Sequence, residues 1–178
     1  GGATPAPSCT TDTLQILGDT SCKAYYKMSD ATDESGNFDG TPTNVNFNVQ
    51  GKFGNAGYFP SGNSEVQTTL TTNYSNVTLS AWVKYSTLPN GGADGTIIQK
   101  GFYTSGSNTQ YLHLRYESYN NIGFTFAVRN NSAYNSQAIA SVTATIGIWY
   151  HIVGILDSSG NAQIYVNGAA GTGITGAP

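Results

Sequence analysis

The chain consists of short segments rich in β-branched and aromatic residues, separated by turns that contain glycine. Pairs such as Ser159-Gly160 and Asn167-Gly168 provide residues that adopt the positive φ of tight turns. No longer stretch repeats its apolar residues with the helical period of about 3.6 residues. Many short strands joined by such turns predict an all-β sandwich or barrel.

Several segments have the composition and the alternation of β-strands. We predict strands at residues 24–28, 58–59, 65–68, 77–85, 96–99, 111–116, 123–129, 149–156 and 162–166. In segment 77–85, Leu79 and Val83 share one face and Trp82 lies on the other. We predict a linker over residues 1–12, because they are rich in Pro, Gly and Thr, and one β-sandwich domain over residues 13–178.

Composition excludes several classes of protein. The length of 178 residues suits one domain, and the hydrophobic content of 38% is enough for a core. Only 10% of the residues are charged, against roughly 25% in an average soluble domain. The net charge of −3 and the scattered Lys and Arg residues give no basic surface for nucleic acid. No apolar run approaches the ~18 residues that a membrane span needs.

Cys9 and Cys22 are the two cysteines of the chain. A disulfide between them would close a loop of 12 intervening residues, and such a loop is worth roughly 3 kcal/mol of stability. Two free thiols are the alternative. Zinc fits poorly because no histidine lies near the pair. We therefore predict the disulfide.

Six segments occur in an order that resembles a known family. They lie at residues 24–41, 51–59, 77–84, 98–101, 149–154 and 163–168. The third reads V-T-L-S-A-W-V-K, and the fifth reads W-Y-H-I-V-G. Together they are similar to laminin-G-like members of the concanavalin A-like lectin/glucanase superfamily. The resemblance implies an all-β jelly-roll sandwich of two antiparallel sheets, with Trp82 and Trp149 packed in its core.

The resemblance also implies a missing strand. The family pattern continues past the hairpin at 163–168 with a strand that returns beside the first one, whereas here only residues 169–178 follow. We therefore expect a jelly roll that lacks its C-terminal strands. Because an unpaired edge promotes association, we expect a downstream segment or a neighbouring chain to cover it, in a homo-oligomer or a larger assembly.

The superfamily includes glycoside hydrolases, whose acids alternate on one strand as E-x-D-x-E. Hydrolysis of a glycosidic bond needs two carboxylates about 5–10 Å apart. This chain has three glutamates, Glu34, Glu65 and Glu117, and no such strand. His151 lies in the W-Y-H motif, and no nucleophile-elbow pattern occurs. We predict that the protein is not an enzyme.

One loop rich in Asp and Asn is a candidate metal site. Its oxygen-bearing side chains are Asp30, Asp33, Ser35, Asn37 and Asp39. Calcium loops favour ligands at alternate positions, but the bidentate Glu of an EF-hand is missing here. A turn rich in Asp and Asn is the other interpretation. The resemblance adds to the calcium expectation, because similar lectin-like sandwiches often hold the ion near this loop.

A second set of residues is a candidate ligand site. Sugar binding needs aromatic rings together with hydrogen-bonding side chains. The candidates come from a polar loop and the strand that follows it: Tyr103, Asn108, Tyr111, His113, Arg115 and Glu117. The alternation of His113, Arg115 and Glu117 predicts that the three share a solvent-facing row. An ordinary solvated strand face is the alternative.

Two functions fit these patterns. The first is a lectin-like module that binds glycans on an extracellular or virion-surface protein. The second is a structural module, for example on a phage tail fibre or capsid, that assembles through contacts at strand edges. The hydroxyl, amide and tyrosine groups of a weakly charged surface suit both.

Overall fold

The computed structural model describes residues 20–90, 93–101, 110–119, 122–129 and 136–175. Twelve strands are the regular elements of these ranges, and every strand pair is antiparallel. The all-β prediction is therefore confirmed. No helix among the described residues is long and apolar enough to cross a membrane. The strands fall into two compact units, one within residues 1–70 and the other within residues 71–178.

The first unit contains two small sheets. Strand β1 (Thr41–Thr43) pairs with β4 (Glu65–Gln67), and β2 (Asn46–Gln50) pairs with β3 (Asn55–Tyr58). The predicted strand at 65–68 is thus found, whereas β1 and β2 were not expected. Both are short, and β1 contains a proline, which weakens the sequence signal of a strand.

The predicted strand at residues 24–28 is wrong. The N–H of Tyr25 donates to the carboxylate of Asp33 at 2.7 Å. The carbonyl of Tyr25 accepts the N–H of Glu34 at 2.8 Å. Because the loop at 33–34 takes both backbone groups, they are not part of a strand ladder.

The second unit contains two four-stranded sheets, β12-β11-β10-β5 and β6-β7-β8-β9. The strands of the first sheet are β5 (Val77–Lys84), β10 (Trp149–Leu156), β11 (Ala162–Val166) and β12 (Ala169–Ala170). The strands of the second sheet are β6 (Asp94–Lys100), β7 (Tyr111–Glu117), β8 (Gly123–Arg129) and β9 (Ser136–Ala140). Five of these eight lie at predicted positions. The short strands β9 and β12 were missed, and β6 begins two residues earlier than expected.

The core of this unit lies between its two sheets. It is formed by alternate residues of the strands, chiefly Leu112, Leu114, Tyr116, Phe124, Phe126, Val128, Tyr150, Ile152, Leu156, Ile164 and Val166. Burial of each large apolar side chain contributes about 1.5–3 kcal/mol. The predicted two-sheet antiparallel sandwich is confirmed here, because the apolar faces of both sheets meet in one cluster.

The expectation that Trp82 packs in the core is wrong. The side chain of Trp82 is 41% exposed. Leu79 and Val83 of β5 pack against the core, so Trp82 points to the opposite face of the sheet. Trp149 is half-buried and lies on the same outer face, because its neighbour Tyr150 points inward.

Gly154 in β10 provides the space for the ring of Phe126. A Cβ added at Gly154 would lie 2.7 Å from Cγ of Phe126. Because Phe126 is fully buried, we expect Gly154→Ala to lower the free energy of unfolding by about 1–3 kcal/mol. Urea-induced unfolding measures this change. Gly62→Ala is the control, since a Cβ there meets nothing within 4 Å. Equal effects of the two substitutions would contradict the packing described.

Candidate ligand-binding site

The candidate site lies on the face of the β6–β9 sheet that points away from the core. In β7, Leu112, Leu114 and Tyr116 enter the core, so His113 and Arg115 point to the opposite face. Antiparallel pairing places Arg115 opposite Thr96 of β6 and Thr125 of β8. Side chains from neighbouring strands therefore meet around Arg115.

Two carboxylates hold the guanidinium of Arg115. Its Nη1 donates to Oδ2 of Asp94 at 2.7 Å, and its Nη2 donates to Oε2 of Glu117 at 2.7 Å. These are charge-assisted hydrogen bonds, which are shorter and stronger than those between neutral groups. Arg115 thus ties β6 to β7 at the end of the strand pair where Asp94 lies directly opposite Glu117.

Two neutral acceptors complete the surroundings of Arg115. Its Nε donates to Oγ1 of Thr125 at 3.2 Å, and its Nη2 also donates to Oε1 of Gln137 at 3.2 Å. One guanidinium therefore connects β6, β7, β8 and β9. Arg115 is only 9% exposed, and a buried charge is tolerated only when it is paired and hydrogen-bonded.

His113 is the second buried polar residue of this face, at 3% exposure. Its Nε2 lies 2.9 Å from Oγ1 of Thr96, and its Nδ1 hydrogen-bonds the hydroxyl of Tyr111. Burial lowers the pKa of His113 to about 4, and the positive charge of Arg115 adds to the effect. His113 is therefore neutral at pH 7 and serves as a hydrogen-bonding group.

Tyr111 links this face to the end of β8. The guanidinium of Arg129 lies 5.6 Å from the centroid of the Tyr111 ring, and the ring meets His113 edge-on at 5.5 Å. Burial raises the pKa of the Tyr111 hydroxyl, although the charges of Arg115 and Arg129 partly offset this rise. The hydroxyl is therefore protonated at neutral pH.

Exposure increases from the centre of this face toward strand β6. Arg115, His113 and Thr125 are buried, whereas Asp94 and Thr96 of β6 are exposed. Tyr119 follows Glu117 by two residues in the sequence and is 60% exposed. A ligand could therefore reach Asp94 and Thr96, which bond Arg115 and His113, but not the buried side chains of Arg115, His113 and Thr125. We call Asp94, Thr96, His113, Arg115, Glu117, Thr125 and Gln137 the Arg115 cluster.

The structure brings together four of the six predicted ligand residues: Tyr111, His113, Arg115 and Glu117. The other two, Tyr103 and Asn108, lie outside the described residues. The expectation that the row faces solvent is wrong for His113 and Arg115. The sequence pattern shows which face of a strand a residue is on, but not how deeply that face is covered.

Asp94, Thr96, Thr125 and Gln137 were missed by sequence reasoning. Thr96 and Thr125 stood in predicted strands, but their neighbours are set by the register of β6, β7 and β8. Asp94 lay just before the predicted start of β6. Gln137 lies in β9, which was not predicted. The alternation of polar residues in three consecutive strands was the signal that could have found the two threonines.

Asp33 organises the loop that was predicted to bind calcium. Asp33 and Ser35 are both buried. The carboxylate of Asp33 accepts five hydrogen bonds, which come from the N–H groups of Tyr25, Ser35, Asn37 and Phe38 and from the hydroxyl of Ser35. Burial raises the pKa of Asp33, but the bonds from Ser35 and the backbone outweigh it, so the pKa lies below its ordinary value.

The residues of this loop do not fit a calcium site. A carboxylate has roughly four acceptor positions, and the donors around Asp33 already take them. Asp39 accepts the N–H of Asp33 at 2.9 Å, and Asp30 accepts the N–H of Thr32 at 2.8 Å. Within the described ranges, no group of three or more His, Cys, Asp or Glu side chains could hold a metal ion. The hydrogen bonds favour the turn interpretation.

Cys22 is disulfide-bonded. Its predicted partner, Cys9, lies outside the described residues. The chain contains no other cysteine.

The fold defines the class of protein: an antiparallel β-sandwich with a polar cluster on the outer face of one sheet. A family model described as the concanavalin A-like lectin/glucanases superfamily, of the laminin-G type, matches residues 53–178. The chain belongs to this superfamily. A search of curated proteins and a search of solved structures each gave no match.

The low pKa of His113 predicts a loss of stability in mild acid. Burial and the charges of Arg115 and Arg129 lower this pKa from 6.5 to about 4, against the opposing effect of Asp94. Since protonation then favours the unfolded chain, stability is complete above about pH 6.5 and decreases toward pH 4. The shift corresponds to roughly 3 kcal/mol.

Urea-induced unfolding as a function of pH measures this loss. His113→Gln should flatten the decrease between about pH 6.5 and 4, whereas His151→Gln should leave it in place. NMR titration of the imidazoles is simple because the chain has two histidines. A His113 that titrates near its ordinary pKa would contradict the buried, hydrogen-bonded position described.

Proposed function

We propose that the protein is a non-catalytic, lectin-like carbohydrate-binding module carried by an extracellular or virion-surface protein. The Arg115 cluster is the observation that carries this proposal. A buried guanidinium holds two carboxylates in fixed positions on one sheet, where the side chain of Asp94 is 34% exposed and that of Glu117 is 14% exposed. Rigid placement of contact groups lowers the entropic cost of binding a ligand.

The accessible groups of the cluster suit sugar hydroxyls. Asp94 and Glu117 each bond Arg115 through one oxygen. Their second oxygens, Oδ1 and Oε1, accept no hydrogen bond from the described residues. A saccharide hydroxyl can donate to each of these oxygens. Tyr119, two residues after Glu117, has an exposed aromatic ring that can contact the apolar face of a sugar.

The charge of the cluster favours a neutral saccharide. Asp94 and Glu117 contribute two negative charges, Arg115 contributes one positive charge, and His113 is neutral at pH 7. The sum is −1, so an acidic ligand would be repelled. We therefore propose that neutral glycans are the ligands of this face.

The absence of catalysis is part of the proposal. A glycoside hydrolase needs one protonated acid and one carboxylate on either side of the scissile bond. Here Arg115 lies between Asp94 and Glu117 and donates to both. This arrangement supports an ion-pair network that holds both carboxylates in place as hydrogen-bond acceptors.

The disulfide bond of Cys22 supports the proposed location. Disulfides form and persist in oxidising compartments such as the cell exterior. An extracellular or particle-surface position also brings the module into contact with glycans.

Binding to an array of neutral glycans tests this function. We expect the double substitution Asp94→Asn with Tyr119→Ala to weaken binding at least ~10-fold, because it removes a charged acceptor and an exposed ring. Tyr58→Ala is the matched control, since Tyr58 is also exposed but lies in the first unit. The absence of binding to every neutral glycan, or equal losses in both variants, would overturn the proposal.

An assembly module is the second candidate. The observation that favours it is the segment 24–28, which lies next to the Asp33 loop and belongs to no described sheet. Such a segment can accept a strand from another chain. Light scattering over a range of concentrations distinguishes the two functions, because assembly without glycan binding would favour this candidate.

A further inference from the structure

A second polar and aromatic surface lies on the other sheet of the sandwich. It consists of Trp82 and Lys84 on β5 together with Trp149 and His151 on β10, all on the outer face. We call these four residues the tryptophan face. It contains both tryptophans of the chain, and it has no residue in common with the Arg115 cluster.

The four side chains form two cross-strand pairs between β5 and β10. Trp82 lies directly opposite His151, and Lys84 lies directly opposite Trp149. The rings of Trp82 and His151 are stacked, with centroids 5.0 Å apart and an interplanar angle of 20°. The ammonium group of Lys84 lies 5.0 Å from the centroid of the Trp149 ring. Each pair thus joins an aromatic ring to a nitrogen-bearing group.

His151 is held in place by its neighbours. Its Nε2 lies 2.9 Å from Oγ of Ser80. Its backbone N–H donates to Oδ1 of Asn167 at 2.8 Å, and its carbonyl accepts the N–H of Asn167 at 2.8 Å. The imidazole therefore supports the indole of Trp82 in a fixed orientation, while 41% of Trp82 remains accessible. Because the aromatic ring is already fixed before a ligand binds, binding loses little conformational entropy of this side chain.

The charge of this face is the reverse of that of the Arg115 cluster. Among the residues of β5, β10 and β11 there is no Asp or Glu. Lys84 makes no ion pair with any described residue. Its contact with Trp149 provides no counter-ion, and none comes from the part of the chain that the structure describes, so this face complements an anion beside an aromatic ring.

We propose that the tryptophan face binds an acidic saccharide, with the sugar ring on Trp82 and the carboxylate at Lys84. Trp82 and Lys84 are two residues apart on one strand, a distance of about 6.6 Å. One sugar ring and its carboxylate span such a distance. The proposal does not depend on the Arg115 cluster, which takes neutral sugars on the other sheet.

Tryptophan fluorescence tests the proposal, because both indoles lie on this face. The probes are two matched pairs, oligogalacturonate with its methyl ester and sialyllactose with lactose. At least one acidic probe should give a saturable change, and its neutral partner should bind at least ~10-fold more weakly. Added salt should weaken the acidic probe, because the contact with Lys84 is exposed.

Three variants separate this face from the rest of the molecule. Lys84→Met should reduce the affinity for the acidic probe about 10-fold and remove the difference within each pair. Lys23→Met, at an exposed lysine of the first unit, should have no effect. Tyr119→Ala should also leave this response unchanged, so failure of the proposed neutral-glycan site is distinguishable from failure here.

Three results would overturn the inference. The first is the absence of any fluorescence change with both acidic probes. The second is equal binding of the acidic and neutral partners. The third is a fluorescence change that follows protein concentration without ligand, since this would show that a second copy of the chain covers Trp82. Lys84→Met keeps a side chain of similar length at an exposed position. We therefore expect this variant to fold, so that a change in its affinity reports the loss of the charge.

Discussion

The bonds from Arg115 to Asp94 and Glu117 place a full positive charge where only 9% of the residue meets solvent. Removing a charge from water costs several kcal/mol unless close partners replace the water. The register of β6 through β9 must therefore be kept, because a slip of one residue would turn the acceptors to the opposite face. The positions of the polar residues on one face of the sheet therefore depend on strand pairing. The apolar residues on the other face are stabilised by packing in the core.

The two sheets of the sandwich present different chemistry to their surroundings. The β6–β9 sheet carries carboxylates held by Arg115, whereas the outer face of the β5 and β10 pair carries Lys84 and two tryptophans. Both faces follow from the alternation of strands that share one core. The two faces therefore differ in the sign of their charge, and we propose that each face selects a different kind of ligand.

The sequence predicted the fold well where strands are long and alternate. The pattern of 77–84 predicted the inward-facing Leu79 and Val83 correctly, because β5 alternates between less exposed and exposed residues. The segment 24–28 failed because a buried aspartate, Asp33, competes for its backbone groups. In the site, the sequence pattern predicted His113, Arg115 and Glu117. It did not predict Asp94 and Gln137, because strand pairing brings them to the site and a single sequence does not define that pairing. Burial of Arg115 depends on the same distant contacts.

A double-mutant cycle between Arg115→Met and Asp94→Asn tests most directly whether the Arg115 cluster acts as one unit. Urea-induced unfolding of the wild type, both single variants and the double variant gives the coupling energy. We expect about 1–3 kcal/mol, because the effects of substitutions in one hydrogen-bonded network are not additive. The pair of Lys27 and Glu34, whose side chains are 54% and 29% exposed, is the control, with less than ~1 kcal/mol expected. Additivity within ~0.5 kcal/mol for Arg115 and Asp94 would contradict the account.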